Sequence, residues 1–179
     1  MRSSTRKYPA AAAAVLLALA AACGGDTEEA TEGAPAVAAA AETRRAVLEL
    51  VDGWAAVHPE GAGTVEVAAD EDGTTVTLAV SGLDPETEYP AHVHDGACDA
   101  EPPGGRHWRA DPDADGQGSP DHLHTYVVTD AEGAGEMSME SDLVADERAV
   151  SVVVHAAGSN EWLEPAGGDR IFCGDLEAE

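Results

Sequence analysis

Apolar and polar residues alternate in eight short runs of the chain. They are AVLELV at 46–51, TVEVAA at 64–69, TTVTLAV at 74–80, YPAHVH at 89–94, TYVVT at 125–129, GEMSME at 135–140, AVSVVVH at 149–155 and RIFCGDL at 170–176. A period of two sends successive side chains to opposite faces of a strand, one toward a core and one toward solvent. Turn-forming stretches separate the runs: DGW, ADEDG, GLDPET, DAEG and GGD. No run carries the spacing of an amphipathic helix. The pattern predicts an all-β domain of eight antiparallel strands, a sandwich or flattened Greek-key barrel. With only six aromatics in that domain, its core is expected to be Val, Leu and Ala. One segment breaks the rhythm. Asp99 to His122 is rich in Gly, Pro and Asp without strand alternation, and a loop of that length in a compact domain is functional or disordered.

The N-terminus has a different pattern. Met1–Lys7 carries Arg2, Arg6 and Lys7, and an Ala/Leu/Val run to Ala22 follows. A basic segment and a short apolar stretch ending in small residues predict a secretion signal over 1–22, too short for a stable membrane anchor. LAAAC at 19–23 resembles the lipobox of bacterial lipoproteins, which implies lipidation of Cys23 and attachment of an exported, cell-envelope protein to a membrane. The other reading is an ordinary signal peptide with an incidental cysteine. Residues 23–43 hold small, acidic and breaker residues and read as a flexible tether. The domain then occupies 44–179, enough chain for one core.

Charge narrows the partners. The chain is −26; residues 1–22 hold three of the nine basic residues and none of the 35 acids, so the remainder is −29. Nucleic acid and anionic membrane surfaces are poor partners for such a body, and no nucleic acid is expected among them. Setting Cys23 aside leaves Cys98 and Cys173. In an oxidising compartment a lone pair is most simply a disulfide.

Six of the seven histidines lie in or beside the long loop or on late strands: His92, His94, His107, His122, His124 and His155. In a strand His92 and His94 share a face and can grip one ion. His155 closes the most apolar run, where an imidazole is costly unless its nitrogens are paired or metal-bound. Neutral imidazoles suit copper and zinc.

HVH at 92–94 followed by a cysteine, GGRHW with His107, VVVHAAGSN with His155, and DRIFCGDL with Arg170 three residues before Cys173 come in that order. In this the chain resembles the copper–zinc superoxide dismutase family, across about residues 44–177. The resemblance implies an eight-stranded Greek-key barrel with copper on His92, His94, His107 and His155. It implies that His107 bridges to zinc and carries a proton, that Cys98 and Cys173 form a disulfide, and that Arg170 sits above the copper to hold superoxide. The implied reaction dismutes superoxide to oxygen and hydrogen peroxide.

The zinc side departs from that pattern. The loop offers His122 and His124 in PDHLH as candidate zinc ligands, with Asp111, Asp113, Asp115 and Asp121, but no aspartate follows His124 within four residues. Ser159 stands where the family has an aspartate linking the ligands of both metals. Without it the two sites lose their orienting link, and a copper-only site is the competing expectation. Glu161 and Glu164 replace the lysines with which the family steers its anion. A non-catalytic module that buffers or delivers copper is therefore the alternative function, and Arg170 discriminates, since storage has no need of it. A cupin expects a glutamate near positions 98 and 99, which are Cys and Asp, and a blue-copper site expects histidine and methionine just after Cys173. An immunoglobulin-like sandwich with incidental histidines is the structural alternative.

Overall fold

The computed structural model of the chain describes residues 42–113, 121–159 and 169–178. The leader, Cys23, the tether as far as residue 41, Asp115, Glu161 and Glu164 lie outside the described residues.

Strands form where the alternation places them. They are β1 (Glu42–Leu50), β2 (Ala62–Asp70), β3 (Gly73–Ser81), β4 (Glu88–His94), β5 (His124–Val128), β6 (Gly135–Ser141), β7 (Ser151–His155), β8 (Arg170–Asp175) and a two-residue β9 (Glu177–Ala178). β1 begins two residues before the expected start of the domain. One feature was illegible: the DGW segment predicted as a turn continues into a single 3-10 turn, Trp54–Ala56. The short β9, which pairs with β1, also went unpredicted.

All pairings are antiparallel, and the strand order is β5-β4-β7-β8-β1-β2-β3-β6. The sheet curls into a nearly closed barrel, and the links from β3 to β4 and from β6 to β7 cross between non-adjacent strands, the connectivity of a Greek key. A tight hairpin joins β2 to β3. In ADEDG, the Asp70 carboxylate accepts from the N–H groups of Asp72 and Gly73, at 2.9 and 3.2 Å, and so closes the β2–β3 turn.

Two kinds of strand make up the barrel. β2 and β3 alternate buried and accessible positions, with Val65, Val67, Val76 and Leu78 inside. β7 is buried at every position, and β4 and β8 at all but one. Their inner faces supply Ala91, Val93, Val152, Val154 and Phe172 to the core. The polar side chains of these strands, His92, His94, Ser151, His155 and Arg170, are buried as well, so both faces are covered.

Candidate metal centre

Alternation along β4 sends Val93 into the core and His92 and His94 outward together. In register with them, His92 faces Val153 and His94 faces Ser151 on β7. His155, two residues beyond Val153, therefore projects from the same side. An irregularity between Val154 and His155 sets His155 opposite Arg170 of β8.

The fourth histidine arrives through the loop. His107 bridges to His94 in antiparallel fashion. Around that bridge, Asp95 N–H donates to Arg106 O and Trp108 N–H to Val93 O, both at 2.9 Å. Trp108 is fully buried and anchors the loop from below. Its indole N–H donates to Asp146 Oδ1 at 3.0 Å, and Arg148 binds the other carboxylate oxygen at 2.8 Å. Burial alone would raise the Asp146 carboxyl; the hydrogen bonds from Trp108 and Arg148 outweigh it and hold the group below its ordinary range.

His92, His107 and His155 converge: each offers a ring nitrogen, and these atoms lie within 4.8 Å of one another. His107 stacks parallel on His92 with ring centres 4.1 Å apart, and His155 meets His92 edge-on at 5.2 Å. His94 stands beside this trio, 4.8 Å from His107 and 5.7 Å from His155 between ring centres, so the expected fourth ligand is adjacent to the three rather than in their set. Both of its nitrogens are buried and meet no hydrogen-bond partner among the described residues. Burial first, and then the rings of His107 and His155, hold both His92 and His94 well below the ordinary histidine value. Neutral rings expose a lone pair, which is the form that binds a metal ion. The residues fit an ion of the imidazole-preferring class.

Arg170 is buried and donates to the carbonyls of Pro103 and Gly105, the latter at 2.9 Å. Its charge acts on His94, one of the causes of that ring's lowered value. Cys98 and Cys173 form a disulfide. It ties the loop that carries both carbonyls to the strand that carries Arg170. Cys98 N–H also donates to Asp175 Oδ1 at 2.8 Å.

His122 is buried, and its ring lies 5.4 Å from that of His107, edge-on. Its Nε2 accepts a hydrogen bond from Arg109 Nε at 2.9 Å. His124 is exposed on β5, across the strand pair from His92, with ring centres 5.8 Å apart. Neither belongs to the converged trio. Ser159 N–H donates to Ala156 O at 3.1 Å, and its hydroxyl reaches no described partner.

Sequence reasoning missed Arg109, Trp108, Asp146 and Arg148. Only the position of Arg109, two residues after His107, offered a signal. Of the six arginines beyond the leader, Arg106, Arg109, Arg148 and Arg170 gather round the cluster. The first three line a cavity of about 400 Å³ with His107. Asp95 lines the same cavity, and two of these arginines are ion-paired, Arg106 with Asp95 at 3.3 Å and Arg148 with Asp146 at 2.7 Å. In comparison with known proteins, the chain matches no family model and no curated protein.

Proposed function

We propose that the protein is an exported copper-dependent superoxide dismutase, tethered to a membrane through lipid on Cys23. The observation that carries the reading is the convergence of His92, His107 and His155 beside an arginine in register with His155. His92, His107 and His155, with His94 adjacent, would hold copper. Copper, when bound, would supply one-electron chemistry, taking an electron from one superoxide ion and giving it to a second.

The chain's own groups do the rest. Arg170, clamped by two loop carbonyls, presents a fixed charge that orients an incoming anion. Arg109 and Arg170, beside the ion-paired Arg106 and Arg148, place positive charge where a body of net charge −29 would otherwise repel an anion. His107, whose ring neighbours those of His92 and His122, would pass on one of the two protons that departing peroxide takes up, with water supplying the other. A disulfide suits the oxidising side of a membrane.

The test is superoxide consumption by the copper-loaded protein and by Arg170→Ala. Arg170→Ala is expected to keep its copper and lose about tenfold or more of the rate, as when one charge-stabilising donor is removed. If both proteins bind copper tightly and are equally inert, the chain is instead a copper-buffering or delivery module.

A further inference from the structure

Arg109 and His122 face each other across an antiparallel bridge between the two limbs of the long loop. Arg109 Nε–H donates to His122 Nε2 at 2.9 Å. A neutral imidazole has one lone pair, and a nitrogen accepting a hydrogen bond through it cannot bind a metal with it. With Nε2 accepting, the ring proton sits on Nδ1, which faces the Asp121 carboxylate at 3.9 Å. Guanidinium, imidazole and carboxylate thus run in sequence beside His107, 5.4 Å from its ring.

The arrangement is held from outside. Ala110 N–H donates to Asp121 O at 3.0 Å, joining the limbs. Arg148 donates to the carbonyls of Arg109 and Ala110 at 3.0 and 3.3 Å. Arg148 is itself fixed by Asp146, which also anchors Trp108. A guanidinium does not lose its proton at any physiological pH, so its charge is permanent. A cation entering between His107, His122 and Asp121 would meet that charge at contact distance and would have to displace the hydrogen bond.

We infer that Arg109 takes the place of a second metal ion: it supplies the positive charge at His122, in a cavity that His107 also lines, and occupies the His122 lone pair, limiting the site to one ion. The inference rests on reading His92, His107 and His155 as a metal site, and it concerns only the neighbouring position. Arg109 is a positioning and specificity residue.

The experiment loads the full chain with copper, dialyses it against zinc, and counts both metals by elemental analysis. Cobalt(II) replaces zinc in a parallel arm, because its visible bands report tetrahedral nitrogen and oxygen coordination. Wild type is expected to hold one copper and no stoichiometric zinc or cobalt. Arg109→Ala is expected to gain a second equivalent with the cobalt bands, and Arg109→Ala/His122→Ala to lose it again. Arg109→Leu keeps the bulk of the side-chain stem and serves if the alanine variant does not fold. Wild type holding both metals overturns the inference, and so do folded Arg109 variants that gain nothing. Failure of the underlying reading is distinguishable: wild type then takes up no copper at all, and the inference falls with it.

Discussion

Gly104 shows how little room the centre leaves for change at a single residue. Its backbone is left-handed, with φ +84°, and a Cβ there would lie 2.6 Å from Val153 Cγ2 and 3.3 Å from the His94 ring. Both the dihedral and the space demand glycine. Gly104→Ala is expected to cost about 1–3 kcal/mol of stability and to weaken copper retention about tenfold through the pressure on His94 and the neighbouring carbonyls that clamp Arg170. Denaturant unfolding and chelator competition check the two effects; unchanged copper affinity would separate Gly104 from the centre. Of the converged histidines, His92 and His155 were legible at this scale, because an imidazole pair and a histidine closing a buried strand carry a chemical signal of their own, whereas His107 was expected as a ligand only through the family resemblance. Arg109 was not: a guanidinium is ordinary surface chemistry until one knows which ring it reaches. His122 and His124 looked equivalent in PDHLH, yet one is buried against Arg109 and the other is exposed.

Among the elements, the decisive connection is between the loop after β4 and strand β8. Cys98 and Cys173 are 75 residues apart in sequence, and their bond holds the loop beside Arg170. Closing a loop of that length stabilises the fold by about 4 kcal/mol on the chain-entropy account. Cys98→Ser/Cys173→Ser is expected to lose a comparable amount in urea unfolding. Arg170 should also loosen from its carbonyls, so the superoxide rate should fall further than the copper content does. Equal losses of rate and copper would mean that the disulfide supports the barrel alone. The strands themselves were readable to within a few residues, since a period of two survives wherever one face meets water. β4, β7 and β8 were readable in the same way, although both their faces are buried, because His92, His94 and His155 are polar residues set among apolar ones. The two bridges that fold the loop onto β4, His94 with His107 and Arg109 with His122, left no periodic trace.

For the whole molecule, the buried rings predict a pH dependence. His92 and His94 ionise well below the ordinary value of 6.5 in the fold, because burial disfavours their charged forms. Below that pH the unfolded chain takes up protons on both while the metal-free folded chain does not, so stability is full above it and falls as pH drops. The slope is about 1.4 kcal/mol per pH unit for each histidine that stays neutral. Melting temperatures of metal-free protein from pH 7.5 down to about 5, above the carboxylate range, should decline through this window. His92→Gln/His94→Gln should flatten the decline; a flat wild-type curve would mean that the rings are not held neutral.

Alternation, turn residues and residue chemistry by themselves determined the β architecture, the number of main strands, the set of candidate ligands and the pair of cysteines. They did so because each is a local property, set by which face of a strand meets water or by what a side chain can donate. The tertiary structure alone decided which nitrogens meet, that His94 flanks the trio, that Arg170 is clamped by loop carbonyls, and that Arg109 holds His122. These depend on register between strands distant in sequence and on the path of an aperiodic loop. Neither leaves a signature in the order of the residues.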